Sequence, residues 1–195
     1  DHISLRDLLL KIRQEFNQYV NYRPVKLLSE RDCPLKEKGP EDLDMVFVRE
    51  NTEGEYAGVG GRVRKGTPEE TVVQTSVFTR RITEKVMRYA FELTRSRAEE
   101  RRARNLKTAS KVTSVTKSNA LNHSLVFWDE VFAELKSDYP EVETDQYHVD
   151  AMSMYMIQRP EDFDVVVASN LFGDILTDLG GVLQGGLGFA AGGNL

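Results

Sequence analysis

The fold is decided by residues 165–178, which read Val-Val-Val-Ala-Ser-Asn-Leu-Phe-Gly-Asp-Ile-Leu-Thr-Asp. The continuous apolar run at residues 165–168 predicts a strand that is buried on both faces. A helix is predicted to follow almost at once, over residues 172–183. A buried strand that leads directly into a helix is typical of α/β proteins.

The same alternation of apolar strands and amphipathic helices extends outward along the chain. Apolar residues that recur every three or four positions predict helices, whereas short apolar or alternating runs predict strands. The predicted helices cover residues 4–20, 82–93, 118–138 and 149–158, and the predicted strands cover residues 25–28, 45–48, 106–115 and 142–147. Pro24 is predicted to end the first helix. The chain is therefore assigned to the α/β class.

Two segments interrupt this alternation. Residues 52–78 combine several glycines with an alternating run from Thr71 to Phe78, which predicts a hairpin-like arm. Residues 95–104, RSRAEERRAR, form a run of charges that we interpret as a solvated helix end or a linker. Glutamates interrupt this run and no aromatic residues interleave with it, so a nucleic-acid patch is not favoured.

Composition argues against several classes of protein. The 195 residues are 40% hydrophobic, and 26 basic against 31 acidic residues give a net charge of −5. This balance is typical of a globular chain and argues against disorder and against nucleic acid as a partner. The sequence contains no apolar run of about 18 residues and no signal peptide, so no membrane partner is expected. The single cysteine, Cys33, cannot form an internal disulfide, which favours a reducing, cytoplasmic compartment.

Both ends of the chain have the character of an interior segment. The chain begins at Asp1 without a methionine and ends at Leu195, straight after a glycine-rich stretch. We therefore expect it to be part of a longer polypeptide.

Three aspartates are candidate ligands for a metal ion. Asp174 and Asp178 are four residues apart, so the predicted helix places both carboxylates on one face. A hard cation such as Mg²⁺ or Mn²⁺ prefers oxygen ligands and would offset the repulsion between them. The alternative is that the two acids stabilise the start of the helix through its dipole. Asp150 follows a predicted strand, where it is either an N-cap or a third ligand of the same metal.

Basic and phenolic side chains supply the other candidate groups. Arg13 lies on the inner stripe of the first predicted helix, Arg23 precedes a predicted strand and Arg49 ends another. A guanidinium group binds carboxylates bidentately. Ordinary salt bridges are the alternative for each arginine. Lys117 lies at a strand-to-helix junction, where a desolvated lysine can act as a base. Tyr56 lies among glycines and is either a proton donor or an aromatic packing residue.

Five motifs occur in order along nearly the whole chain. They are LLLKIRQEFNQYVNYRP, MVFVRENTEGEYAGVGGR, VTKSNAL, YHVDAM and SNLFGDILTDLGG. On these motifs the chain resembles the isocitrate/isopropylmalate dehydrogenase family of β-decarboxylating dehydrogenases, and ENTEGEY and NLFGDILxD are the most specific. DHISL, QYVN and SVFTR are most similar to the tartrate/D-malate branch, whereas HVDAM is more similar to the isopropylmalate branch.

The resemblance implies a metal-dependent oxidation and β-decarboxylation of a 2-hydroxy diacid, D-malate or tartrate, with hydride transfer to NAD. It implies roles for nine residues: substrate binding by Arg13, Arg23 and Arg49, binding of Mg²⁺ or Mn²⁺ by Asp150, Asp174 and Asp178, catalysis by Tyr56 and Lys117, and contact with the nicotinamide by Asn119. It also implies a homodimer with shared active sites, in which Lys117 and Asp150 come from the second subunit. The alternatives are 3-isopropylmalate as substrate and a non-catalytic assembly or regulatory subunit.

The resemblance also implies an isocitrate/isopropylmalate dehydrogenase-like fold with a protruding β arm for dimerisation, and a division of the chain into three parts. Residues 1–22 would be a helix of the cofactor-side domain, and residues 23–170 would form the substrate and dimerisation domain with its arm at 57–78. Residues 171–195 would contain the metal-binding helix and the return to the cofactor-side domain. The family's two nucleotide-side segments would lie outside this chain, so NAD and NADP are not distinguished.

Overall fold

The computed structural model describes residues 8–105 and 110–195 and is built around a six-stranded sheet with a separate two-stranded hairpin. The strands are β1 (Val20–Lys26), β2 (Asp44–Glu50), β3 (Gly54–Val63), β4 (Thr71–Val77), β5 (Lys111–Thr116), β6 (Glu143–His148), β7 (Val165–Ala168) and β8 (Gly193–Asn194). The α-helices are α1 (Leu10–Glu15), α2 (Arg80–Ala103), α3 (Ser124–Lys136), α4 (Val149–Gln158) and α5 (Asn170–Leu183). The predicted α/β class is confirmed. None of the helices in these described ranges is long and apolar enough to cross a membrane.

The sheet is mainly parallel and is covered by helices. Its strand order is β6-β5-β7-β2-β1-β8; the first four strands are parallel, and β1 pairs antiparallel with β2 and β8. α2 packs on β2, β5 and β7, and α5 packs on β1, β2 and β7. β2 and β7 are buried along almost their whole length, as their continuous apolar sequences predict for strands between two layers of helices.

The first helix is shorter than the sequence predicts. α1 ends at Glu15, and Val20 already lies in β1, opposite Glu50 of β2. Asn17 has a positive φ of 50°, a conformation that ends the helix and turns the chain toward the sheet. The predicted helix is therefore wrong for residues 16–20, and residues 4–7 of it lie outside the described residues.

Pro24 lies inside β1 instead of ending a helix, and the strand tolerates it for a geometric reason. Pro24 is opposite Val46, whose N–H donates to the carbonyl of Asp164 and so points away from β1. The pair therefore requires no N–H from the proline. On the other side of β1, β8 is paired only with Asn21 and Tyr22, so the position without an N–H faces the open edge.

The predicted arm is a hairpin that stands apart from the sheet. β3 and β4 pair antiparallel, and the side chains of Val63, Val72 and Val73 are more than half exposed. The hairpin prediction for residues 52–78 is confirmed. Its function in dimerisation stays a prediction, as does the division of the chain at residues 22 and 170.

The charge run at residues 95–104 forms the last turns of α2. The interpretation as a helix end is therefore confirmed, and the alternative interpretation as a linker is wrong. Arg97 and Arg101 are not solvated, however. Both side chains are only 15% exposed, and both donate to Oδ1 of the buried Asp164, at 2.9 and 2.8 Å. They also reach Asp44 at the start of β2. These arginines attach α2 to the sheet, which a charge count could not predict.

The other elements agree with the sequence except at their ends. Residues 106–109 of one predicted strand lie outside the described residues, and the rest of it is β5. α3 begins at Ser124 instead of 118, because residues 117–121 form a turn in which the amides of Ala120 and Leu121 donate to the carbonyl of Lys117. The Met-rich sequence of α4 predicts core packing for Met152, Met154 and Met156. Met152 and Met156 are fully buried, whereas Met154 is 45% exposed, so the prediction is wrong for Met154.

Candidate active site

The centre of the site lies where β2 ends and α5 begins. Arg49 is 3% exposed, and its Nε and Nη2 donate to Oδ1 of Asn170 at 3.1 and 2.7 Å, while its Nη1 contacts Asp174. The aliphatic part of Arg49 crosses α5 at Gly173, where a Cβ atom would lie 2.5 Å from Cγ of the arginine. Glycine therefore allows strand and helix to approach closely at this point.

Tyr56 enters the site from β3, at the base of the arm. Its hydroxyl donates to Oδ2 of Asp174 at 2.8 Å, and the guanidinium carbon of Arg49 is 5.7 Å from the centre of its ring. Burial, and then the hydrogen bond to Asp174, raise the pKa of the Tyr56 phenol. The phenol therefore keeps its proton at neutral pH and is available as a proton donor.

Arg13 and Arg23 extend the positive charge of the site. Arg13 interacts electrostatically with Arg49, Asp174 and Arg23, and burial followed by repulsion from Arg49 lowers the pKa of its guanidinium. Its Nε atom is buried and has no hydrogen-bond partner within the described part of the chain. Arg49 and Arg13 both interact with Asp174, and Arg23 interacts with both of these arginines, so the site has positive charge left over for an anion.

Arg23 is held in place by amide side chains that the sequence interpretation missed. Its Nε donates to Oδ1 of Asn21 at 2.7 Å, and Nδ2 of Asn21 donates to Oδ1 of Asn194 in β8 at 2.8 Å. Nδ2 of Asn51 donates to the same oxygen at 3.2 Å. These asparagines meet only through strand pairing, and no local pattern marks them.

The glutamates of ENTEGEY hold the end of β2 and the start of β3, where Tyr56 lies, and sequence reasoning missed this as well. Glu50 is buried, and its carboxylate accepts from the amides of Thr52 and Glu53 at 2.6 and 2.9 Å; burial raises its pKa. Glu53 accepts from Thr79 just before α2, and Glu55 accepts from groups at the start of α5. The density of acids in the motif was the only sequence signal for this scaffold.

Lys117 and Asp150 form a second group, separate from the first. Nζ of Lys117 donates to Oδ1 of Asp150 at 2.7 Å, and this hydrogen bond lowers the pKa of the aspartate. Asn119 is exposed on the turn that follows Lys117. Across residues 8–105 and 110–195, no three His, Cys, Asp or Glu side chains are grouped so that they could hold a metal ion. One chain therefore does not bring Asp150 to Asp174 and Asp178.

The two aspartates on α5 nevertheless have the chemistry of a site for a hard cation. Asp174 and Asp178 are one turn apart, and both reach solvent, the Asp174 side chain being 45% exposed. Carboxylate oxygens suit Mg²⁺ or Mn²⁺. Two carboxylates supply only part of the coordination sphere of such an ion, so further ligands are required. Metal binding at these residues stays a prediction.

Fold and site together define an α/β protein with an arginine-rich, carboxylate-bearing site near the ends of its strands. The chain belongs to the isocitrate/isopropylmalate dehydrogenase family, whose family model matches residues 2–195. This membership confirms the family resemblance drawn from the motifs.

The curated proteins similar to this chain include three differently named dehydrogenases. The chain is 52% identical to D-malate dehydrogenase (decarboxylating) of Escherichia coli (strain K12) and 49% identical to a probable tartrate dehydrogenase/decarboxylase of Bacillus subtilis (strain 168), in each case over 100% of this chain and 51% of the relative. It is 49% identical, over 97% of its length and 51% of the relative, to a 3-isopropylmalate dehydrogenase of Thermobifida fusca (strain YX). The chain therefore spans about half the length of the curated relatives it matches.

A solved structure supports the fold. The crystal structure of isocitrate dehydrogenase from Methylococcus capsulatus matches with a TM-score of 0.82 and 38% identity, over 97% of this chain and 52% of that one. The fold class predicted from the sequence is confirmed by this similarity.

Proposed function

We propose that the protein containing this chain oxidises and β-decarboxylates a 2-hydroxy diacid, D-malate or tartrate, with a divalent metal and NAD. The observation that carries the proposal is the meeting of Arg13, Arg23, Arg49, Tyr56 and Asp174 in one site. The names of the relatives support this class of reaction.

The arginines suit the two carboxylates of such a substrate. A dianion would offset the excess positive charge, and the buried Nε of Arg13 would gain a hydrogen-bond acceptor. Arg49 is fixed by its bonds to Asn170, and Arg23 by its bond to Asn21, so little ordering of these two side chains is needed on binding.

A divalent cation held by Asp174, Asp178 and Asp150 would stabilise negative charge on the substrate oxygens, and NAD would take up a hydride from C2. Lys117 would help remove the proton of the C2 hydroxyl, the role that the family resemblance implies for it. Oxidation leaves a 2-keto acid, in which the bond from C3 to the β-carboxylate breaks and CO₂ departs. The electron pair that remains on C3 takes a proton from the hydroxyl of Tyr56.

The separation of the two groups within one chain supports a shared active site. Asp150 and Lys117 contact each other and do not reach Asp174, so in this proposal a second copy supplies them. The exposed valines of the arm are suited to contact that second copy. Asn119 would then lie on the nicotinamide side of the shared site.

The 3-isopropylmalate alternative is supported by one feature of α1. Leu9, just before this helix and one turn before Arg13, is 45% exposed and is suited to contact an alkyl substituent. Burial of such a branched group contributes roughly 2 kcal/mol of preference.

A substrate panel tests the reaction and the branch together. The natural-length protein is assayed with Mn²⁺, with NAD or NADP, and with D-malate, tartrate or 3-isopropylmalate under one set of conditions. We expect the highest kcat/KM with D-malate or tartrate. Preference for 3-isopropylmalate by tens of fold would refute the branch assignment, and inactivity with all three would favour the non-catalytic alternative.

The metal site is tested by titration with Mn²⁺. Asp174→Asn should weaken binding strongly, whereas Asp138→Asn should not, because Asp138 is an exposed carboxylate paired with Arg88 of α2. Equal affinity in both variants would contradict the assignment of Asp174 as a ligand.

Mixing two subunits of very low activity tests the shared site. A heterodimer of Lys117→Ala and Tyr56→Phe subunits would have one complete site, so an equal mixture should recover about a quarter of the wild-type activity. No recovery after verified subunit exchange would mean that each site is built from one chain.

A further inference from the structure

The N-terminus of α5 is capped by a side chain from outside the helix. Ser169 occupies the N-cap position, but its side chain makes no capping hydrogen bond; instead its hydroxyl donates to Oε1 of Glu55 at 3.0 Å. The amide of Leu171 donates to Oε2 of the same carboxylate at 3.1 Å. Glu55 therefore satisfies an amide that has no partner inside the helix, and its charge is favourable at this end of the helix dipole.

The next residue in the chain contacts the same helix one turn further on. Tyr56 donates to Asp174 at 2.8 Å, so residues 55 and 56 contact α5 at two successive points. If the contact of Glu55 were lost, the first turn of α5 could move relative to β3. The hydroxyl of Tyr56 and the carboxylate of Asp174 would then lose their alignment, and displacements of about 1 Å are enough to slow a reaction greatly.

The residue just before β3 provides a natural control for this contact. Glu53 also accepts from one amide and one hydroxyl, but both belong to Thr79, at 2.9 and 2.8 Å, at the start of α2. Glu53 and Glu55 therefore share residue type and side-chain bonding pattern and are two residues apart, and their side chains differ in the helix that they hold.

We propose that Glu55 is a positioning residue: by capping α5 it holds Asp174 at hydrogen-bonding distance from Tyr56. This inference rests on the proposed function, in which both of these groups act on the substrate. Glu55 itself touches neither substrate nor metal in this proposal.

Steady-state kinetics of the natural-length protein test the proposal. Glu55→Ala should lower kcat by about tenfold or more, with KM changed less than about threefold, while Glu53→Ala should leave kcat within about threefold of wild type. Glu55→Gln keeps an oxygen acceptor and should recover part of the loss. Equal losses of kcat in Glu55→Ala and Glu53→Ala would overturn the proposal.

A double-mutant cycle separates positioning from general destabilisation. If Glu55 acts mainly through the contact between Tyr56 and Asp174, adding Glu55→Ala to Tyr56→Phe should lower kcat by much less than Glu55→Ala does alone. If the fold-loss of kcat in the double variant equals the product of the losses in the two single variants, Glu55 acts elsewhere and the inference is refuted.

Amide hydrogen exchange provides a readout that does not depend on activity. Exchange at Leu171 should be faster by about tenfold in Glu55→Ala and unchanged in Glu53→Ala. Unchanged exchange in Glu55→Ala would disprove the cap itself. If exchange rises but wild type turns over none of the substrates, the proposed function has failed, and Glu55 is a helix cap without a role in positioning.

Discussion

Gly173→Ala should weaken both the fold and the binding of substrate, although alanine is the better helix former. A Cβ at this position would lie 2.5 Å from Cγ and 2.7 Å from Cβ of Arg49. Non-bonded carbon atoms prefer separations of about 3.5–4.0 Å, so the arginine would have to move by roughly 1 Å. Such a movement lengthens its hydrogen bonds to Asn170 beyond a useful distance, since these are now 3.1 and 2.7 Å.

The magnitude follows from two opposing effects. Alanine gains up to about 1 kcal/mol over glycine inside a helix. Overpacking at a buried contact costs about 1–3 kcal/mol, and the disturbed hydrogen bonds of Arg49 place this site toward the upper end. We therefore expect a net loss of about 1–2 kcal/mol in the free energy of unfolding, and a KM for the diacid raised about tenfold because Arg49 is displaced.

Gly181→Ala is the matched control in the same helix. Its Cβ would lie 3.5 Å from Cδ2 of Leu187 and 3.6 Å from Cβ of Ala190, which are ordinary contacts. This variant should therefore be more stable than wild type by about 0.5–1 kcal/mol, with KM unchanged. Urea unfolding and steady-state kinetics measure both quantities. If Gly173→Ala matched Gly181→Ala in stability and in KM, the close packing of Arg49 against α5 would be refuted.

Three further outcomes are expected. Asp164→Asn should lower the free energy of unfolding by about 3 kcal/mol, because Arg97 and Arg101 on α2 lose a buried carboxylate. Urea unfolding measures this change, and a loss below about 1 kcal/mol would contradict the prediction. Burial alone would raise the pKa of Asp44, but the interactions of its carboxylate with Arg97 and nearby cations outweigh burial and lower the pKa. The stability that ionised Asp44 contributes is therefore present above the usual aspartate pKa and is lost as the pH falls through the lowered pKa. Asp44→Asn should therefore show a smaller loss of stability on acidification than wild type, and parallel curves would contradict this. Trp128→Phe should lower the free energy of unfolding by about 2 kcal/mol, because it leaves a small cavity and removes the N–H that donates to the hydroxyl of Ser114 at 3.0 Å. Thermal or urea unfolding measures this change. An unchanged free energy of unfolding would mean that this buried pair does not contribute to stability.

Local sequence determined the parts of the fold that are defined by one segment. The apolar runs at 45–48 and 165–168 predicted buried strands, because they are short, rich in valine and have no polar face. The helix at 149–158 and the hairpin at 52–78 also followed from their periodicity. For the site, the motifs located Arg13, Arg23, Arg49, Tyr56 and Asp174, which the structure brings together, but not the asparagines and glutamates that hold them.

Tertiary structure decided what depends on partners distant in the chain. Residues 16–20 have helical periodicity, yet Val20 lies in β1 because pairing with β2 satisfies a whole strand of backbone groups. Arg97 looks like a solvated charge, and only the buried Asp164, 67 residues away, makes it a structural group. Glu55 gives no local sign of capping α5, since its partners lie 114 and 116 residues further along. Periodicity records which face of a segment is apolar, whereas the partner of a polar group is set by where the fold brings two segments together.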